Sequence, residues 1–202
     1  MNVFHQMNEF QPNKLLPESD QAIAYWQAFT EGNEEALGSL FRLYYTQLYK
    51  YGSKICPNTI ILEDCIQELF LQLWQKKTPT PVTSVKAYLL KALKYKLLKA
   101  MQQKSNKPVE DSDAFEISHE HFLINRQRDE EKVKKVIDAL ALLTDRQKEI
   151  IYLKFYQNLS YEEVSEIMNI SYQTARNLLH KGVSAMKKIL MQSYCLVLSS
   201  LF

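Results

Sequence analysis

The sequence predicts an all-α fold: two small helical domains joined by a flexible acidic linker, the C-terminal one a helix-turn-helix. Three observations carry that expectation. Glycine and proline are few, 4 and 6 in 202 residues, and long stretches repeat apolar residues every three or four positions. Two capping boxes, Thr144 with Gln147 and Ser160 with Glu163, announce helix starts in the C-terminal third. Charge is segregated along the chain. Nine lysines and no acid lie between Lys76 and Lys107, and Glu110, Asp111, Asp113, Glu116 and Glu120 follow with no Lys or Arg before His121. The formal net charge of +2 conceals this pattern.

The elements follow in order. Residues 1–20 are polar, carry Pro12 and Pro17, and read as a loose N-terminal arm. Residues 21–104 read as the first domain. A helix from about Asp20 carries Ile23, Tyr25, Trp26 and Phe29, and Glu31-Gly32-Asn33 breaks it. From Glu34 to about Ile55, Leu37, Leu40, Phe41, Tyr44, Tyr45, Leu48 and Tyr51 form a core stripe, ended by Cys56-Pro57-Asn58. A third helix runs from about Ile61 to Lys76, with Leu62, Cys65, Ile66, Leu69, Phe70, Leu73 and Trp74 as a broad apolar face. Thr78-Pro79-Thr80-Pro81 is a loop, because two prolines so spaced cannot sit inside a helix. Ser84 caps a fourth helix from Val85 to about Gln103, with Tyr88, Leu89, Ala92, Leu93, Leu97, Leu98 and Met101 inward.

Residues 105–121 lack periodicity and form the linker. Residues 122–190 form the second domain. Helix resumes from Phe122 to Leu143, a helix Arg146–Phe155 follows its capping box, and a short helix opens at Ser160 with Val164 and Ile167 inward. Asn169 stands where the chain needs a left-handed residue, a conformation only Gly and Asn/Asp take easily. Ser171 caps the next helix, with Ala175, Leu178, Leu179 and Val183 as its buried stripe. Its outer face then holds Tyr172, Gln173, Arg176, Asn177, His180 and Lys181, side chains that read base edges and grip phosphate. An ordinary helical hairpin with a solvated polar face is the plain alternative. Residues 191–202 are an apolar tail, far too short to span a bilayer and suited to packing on a helix or a partner.

Chemistry is excluded more readily than binding. Cys56, Cys65 and Cys195 are odd in number and lack metal spacing, and no signal peptide precedes them. Both facts favour a reducing, cytoplasmic setting. His119 and His121 are too little for a metal site. No phosphate-cradling glycine loop, no paired nucleophile and base and no metal cluster is present, so neither catalysis nor a cofactor is expected.

Two further surfaces emerge. Lys86, Lys91 and Lys94 belong to the basic block, which supplies sequence-independent affinity for phosphate. Tyr88 and Tyr95 lie among the lysines, and an aromatic so placed stacks on an extruded base; packing in the core is the alternative for both. On the third helix, Asp64, Gln67, Glu68 and Leu71 recur at three to four residues and line one strip. An Arg-rich partner would pair with it, and a solvated face is the alternative.

The order of these parts resembles the bacterial RNA polymerase sigma factors of the sigma-70 superfamily, in the short extracytoplasmic-function group. Leu62-Glu63-Asp64-Cys65-Ile66-Gln67-Glu68-Leu69-Phe70-Leu71-Gln72-Leu73-Trp74 is similar to the family helix that docks on the polymerase clamp. Val85-Lys86-Ala87-Tyr88-Leu89-Leu90 and the lysine-rich helix after it resemble the segment that opens and reads the −10 element. The stretch from Leu143-Thr144-Asp145-Arg146-Gln147 to Lys188 resembles the domain that reads the −35 element.

The resemblance implies core RNA polymerase, promoter DNA and an anti-sigma factor as partners, and no small-molecule substrate. It assigns Asp64, Gln67, Glu68 and Leu71 to the polymerase and Lys86, Lys91, Lys94 and Tyr95 to the −10 element. Ser171, Tyr172, Gln173, Thr174, Arg176, Asn177, His180 and Lys181 go to the −35 element. It also implies that the loop 77–84 captures a flipped base and that the acidic linker threads toward the active-site cleft; a soluble tether fits its composition equally. Two departures stand out. Asn169 replaces the common glycine of the turn, and Lys94-Tyr95 replaces an Arg-Asn pair. Two rival readings remain open. One is a helix-turn-helix regulator acting without core polymerase, and the other is a helical interaction protein.

Overall fold

The structure, a computed structural model, describes residues 17–76, 82–105, 115–116 and 130–199. The described elements are helical: α1 (Glu18–Thr30), α2 (Glu34–Ile55), α3 (Thr59–Lys76), α4 (Val85–Ser105), α5 (Glu130–Ala141), α6 (Asp145–Ile151), α7 (Tyr161–Ile167) and α8 (Tyr172–Ser199). The chain divides into two compact units, residues 1–53 with 58–97 and residues 54–57 with 98–202. The readings of residues 1–16 as an arm, of 77–81 as a loop, of His119 and His121, and of helix over 122–129 lie outside the described residues.

In the first unit the helices start where side chains satisfy the amides left unpaired at a helix N-terminus. Asn33 Oδ1 accepts from the amides of Glu35 and Ala36 at 3.0 and 3.3 Å. Asn58 Oδ1 accepts from Ile61 N at 3.1 Å, and Ser84 Oγ from Ala87 N at 3.2 Å. Asn33 and Asn58, expected only as breaks, therefore also open the next helix, which is why α3 begins at Thr59 rather than Ile61. Ala22 and Trp26 of α1, Leu37, Leu40, Tyr44, Leu48 and Tyr51 of α2, Leu62, Ile66 and Leu69 of α3 and Leu89, Leu90, Leu93 and Leu97 of α4 are buried together as the core. Gly52 lets α2 lie close against its neighbours. A Cβ there would overlap Leu62 Cδ1 of α3 and stand 3.3 Å from Leu97 Cδ1 of α4.

The second unit buries Ile137, Leu140 and Leu143 with Ile150, Leu153, Leu159, Val164, Ile167, Ala175 and Leu179. Both capping boxes form: Thr144 with Gln147 opens α6, and Ser160 with Glu163 opens α7. The expected helix Arg146–Phe155 is corrected in one respect. Its second half is a π-helical turn, Tyr152–Tyr156, in which Gln157 N reaches back to Tyr152 O at 3.1 Å. Asn158, at φ 53°, then reverses the chain so that Leu159 enters the core. Asn169 takes φ 50°, the left-handed conformation expected of the turn between α7 and α8. α8 does not run out near Leu190. It continues to Ser199, because nothing after Gly182 breaks it.

Candidate nucleic-acid and polymerase interfaces

On α3, the core face of Leu62, Ile66, Leu69 and Phe70 turns Asp64, Gln67, Glu68 and Leu71 outward, and all four are exposed. The strip is longer than the sequence reading made it. Ile60 lies one turn before Asp64 and is exposed, and Trp74, expected on the apolar face, is 39 % exposed just beyond Leu71. The arrangement offers acids and amides between apolar ends, a surface that pairs with basic side chains while burying an aliphatic stem. Glu68 is already engaged: Lys96 Nζ of α4 lies 3.4 Å from its Oε2.

On α4, register decides which lysines meet solvent. Leu90, Leu93 and Leu97 define the inner face. Lys94 falls among them and is only 7 % exposed, so the expected phosphate contact at Lys94 is corrected: its side chain belongs to the packed face. Lys91 and Tyr95 are exposed, Tyr95 at 70 %, and Lys99 is exposed one turn beyond Tyr95. The outer stripe is therefore Lys91, Tyr95 and Lys99, at four-residue spacing. The sequence reading counted Lys99 among the surface lysines of this helix but not among the DNA contacts; counting one turn on from Tyr95 adds it to the stripe. Lys86 is half-buried. Tyr88 is a packing residue, its ring 5.2 Å from that of Trp26 in an edge-to-face pair.

On α8, Ala175 and Leu179 are buried, and Ser171, Tyr172, Gln173, Thr174, Arg176, Asn177, His180 and Lys181 are all exposed. The eight residues thus spread over the wide arc that the buried stripe leaves to solvent. Ser171 caps the helix by accepting from Thr174 N at 3.1 Å, and Gln173 Nε2 donates to Asn177 Oδ1 at 3.1 Å. The first turn carries no acid, so nothing there opposes a phosphate at the positive end of the helix. Gly182 brings this helix onto α6, since a Cβ there would stand 3.3 Å from Ile151 Cδ1.

Burial pushes the phenol of Tyr156 up to about 12, helped by the charge of Tyr152 beside it. Tyr152 is also raised by burial, against a hydrogen bond from Gln157 that lowers it. Among the described residues no group of three or more His, Cys, Asp or Glu is placed to hold a metal ion, and no helix is long and apolar enough to cross a membrane. Cys56 and Cys65 are buried thiols.

Residues 40–107 match the family profile of Sigma-70 region 2, and residues 134–186 that of Sigma-70, region 4. Together the two matches span more than half of the chain. The chain is similar to the ECF RNA polymerase sigma factor SigM of Bacillus subtilis (strain 168), 21 % identical over 154 residues that cover 76 % of this chain and 94 % of that protein. It is equally similar to the ECF RNA polymerase sigma factor SigK of Mycobacterium sp. (strain JLS), 21 % identical over 175 residues, 79 % of this chain and 86 % of that one. Among solved structures, CnrH in complex with the cytosolic domain of CnrY matches with a TM-score of 0.56 at 15 % identity, covering 87 % of this chain and 99 % of that chain. The sigma factor RpoE in complex with the anti-sigma factor NepR from Bartonella quintana matches at 0.52 and 19 %, covering 76 % and 96 %. At these identities the structural likeness is one of fold.

Proposed function

The chain belongs to the extracytoplasmic-function group of the sigma-70 superfamily, and from that premise we propose that it binds core RNA polymerase through α3, reads the −35 element with α8 and opens the −10 element with α4. It is a sigma factor and not an enzyme; polymerisation belongs to the core. The observation that carries the division of labour is Tyr95, an aromatic ring left in solvent between Lys91 and Lys99. A ring flanked by a lysine one turn away on each side suits an unpaired base, which stacks on it while its phosphates meet the lysines. The face of α8 is of the other kind: Arg176 forks to a guanine edge, Gln173 and Asn177 suit adenine, and Lys181 suits phosphate.

The strip Asp64, Gln67, Glu68 and Leu71 supplies the acids that a basic clamp surface takes up. The setting is the cytoplasm, where the polymerase is. An anti-sigma factor is a further partner, in keeping with the relatives captured in complexes. No cofactor and no small-molecule substrate enter this reading.

Reconstituted transcription with core polymerase and a promoter library tests it. Transcripts should arise from promoters sharing one −35 and −10 pair, and should need both core and this chain. Arg176→Ala should cost roughly 1–3 kcal/mol of discrimination at one −35 base pair. Lys181→Ala should weaken binding evenly across sequences and flatten its salt dependence. Tight protection of paired half-sites by the chain alone would identify a regulator that works without core polymerase instead.

A further inference from the structure

A contact relay runs from the π-helical turn to the first residue of α8. Lys154 Nζ donates to the carbonyl of Leu159 at 2.8 Å, which closes the loop between the turn and α7. The same ammonium stands 4.8 Å from the centre of the Tyr161 ring, over its electron-rich face. Tyr161 in turn meets the ring of Tyr172 edge to face, with centroids 5.8 Å apart and planes at 65°. Tyr161 opens α7 and Tyr172 opens α8, so this pair ties together the starts of both helices. Ser160 and Glu163 hold the backbone beneath Tyr161, with bonds of 2.7 and 3.2 Å. Tyr161 is thus fixed both through its backbone and through its ring. Tyr172, 43 % exposed, has Tyr161 on one side and shares the outer face with Gln173 and Arg176 on the other.

We propose that Tyr172 reads the 5-methyl group of a thymine in the −35 element, and that Tyr161 and Lys154 are positioning residues that hold its ring for that contact. The proposal rests on the reading of α8 as the −35 reader and adds the chemistry of one of its contacts. A ring at the start of a helix seated in the major groove reaches base edges, and thymine alone displays a methyl group there. A phenol ring loose at χ1 would discriminate poorly. A ring held by a neighbouring aromatic loses little freedom on binding, so the contact gains selectivity. Lys154 acts at one remove: without its ammonium, the Tyr161 ring loses the partner over its face.

The test uses the full chain assembled with core polymerase and duplexes chosen from the promoter library. Each −35 thymine is replaced in turn by deoxyuridine, which removes only the methyl group. The parent should lose about fourfold in affinity at one position, the fold-change of one buried methyl group. Tyr172→Ala should abolish that sensitivity. Tyr161→Leu should abolish it as well, while Tyr161→Phe keeps it, and Lys154→Met should reduce it, with Lys154→Arg restoring it. General loosening of the unit would weaken thymine and uracil duplexes alike and leave their ratio unchanged. A ratio unchanged in Tyr161→Leu, or no sensitive thymine in a parent that selects its −35 sequence, overturns the proposal. A parent holoenzyme that selects no −35 sequence overturns the sigma-factor reading itself, before any variant is compared.

Discussion

Replacing Gly52 by alanine tests whether the first unit is packed as described. In an exposed helix interior the change would stabilise by about 1 kcal/mol, because alanine loses less backbone entropy than glycine. At position 52 the added Cβ overlaps Leu62 Cδ1, and Leu97 Cδ1 and Leu93 Cδ2 stand only 3.3 and 3.4 Å away. Leu62, Leu93 and Leu97 are each fully buried, so the displaced methyl has no solvent to move into. Overpacking of this kind costs about 1–3 kcal/mol, and an overlap with an immobile neighbour belongs in the upper half of that range. Subtracting the helix-propensity gain leaves a net loss of about 1–2 kcal/mol.

Gly38 is the control on the same helix. A Cβ there would meet only the Arg42 guanidinium, at 3.6 Å, so Gly38→Ala should raise stability by up to about 1 kcal/mol. Denaturant unfolding followed by circular dichroism reads both, with midpoints moving in opposite directions at similar slope. A Gly52→Ala protein as stable as the parent would refute the packing of α2 against α3 and α4 at that point.

Other consequences are shorter. Asp64→Lys with Glu68→Lys should abolish binding to core polymerase while circular dichroism shows the helices intact, since the exposed Glu68–Lys96 pair is worth only about 0–1 kcal/mol; wild-type affinity would move the docking surface elsewhere. Lys99→Gln should weaken binding of a single-stranded −10 oligonucleotide by the holoenzyme and lower the salt slope by about 0.7. Lys94→Gln should instead lower the thermal stability of the first unit, and the opposite pattern would refute the register assigned to α4. Alkaline pH should loosen the second unit. Both raised phenols favour the folded state while protonated, so their contribution is complete below pH 10 and is lost as pH rises past it, for Tyr156 between pH 10 and about 12. Unfolding midpoints measured across that window should fall less in Tyr156→Phe than in the parent.

The helices were legible because each of their determinants is local. Four of the side-chain caps, Ser84, Thr144, Ser160 and Ser171, were read directly from residue type and spacing, and Asn169 from the single conformation a turn demands there. The exposed face of α8 was legible for the same reason: its buried stripe leaves one outer arc. The end of α8 was not: a stop near Leu190 was expected, yet no breaking residue stands there and the helix continues to Ser199.

What escaped the sequence depends on neighbours. Lys94 and Lys99 are chemically identical and five positions apart, and only the packing of Leu90, Leu93 and Leu97 against the other helices decides which one is turned inward. Composition counts both as charge available to DNA. The π-helical turn is a similar case. Nothing in Tyr152-Leu153-Lys154-Phe155-Tyr156 disfavours an ordinary α-helix, and the sequence reading accordingly continued the helix to Phe155. The wider turn is selected by what lies after it. Asn158 takes the left-handed conformation, Leu159 must enter the core, and Lys154 must reach the Leu159 carbonyl and the Tyr161 ring at once. With a regular helix through Phe155, position 154 would be rotated away from that loop, and the start of α7 would lose its tie to the turn. The irregular turn therefore belongs to the contacts that set Tyr161, and through it Tyr172, at the edge of the exposed face of α8.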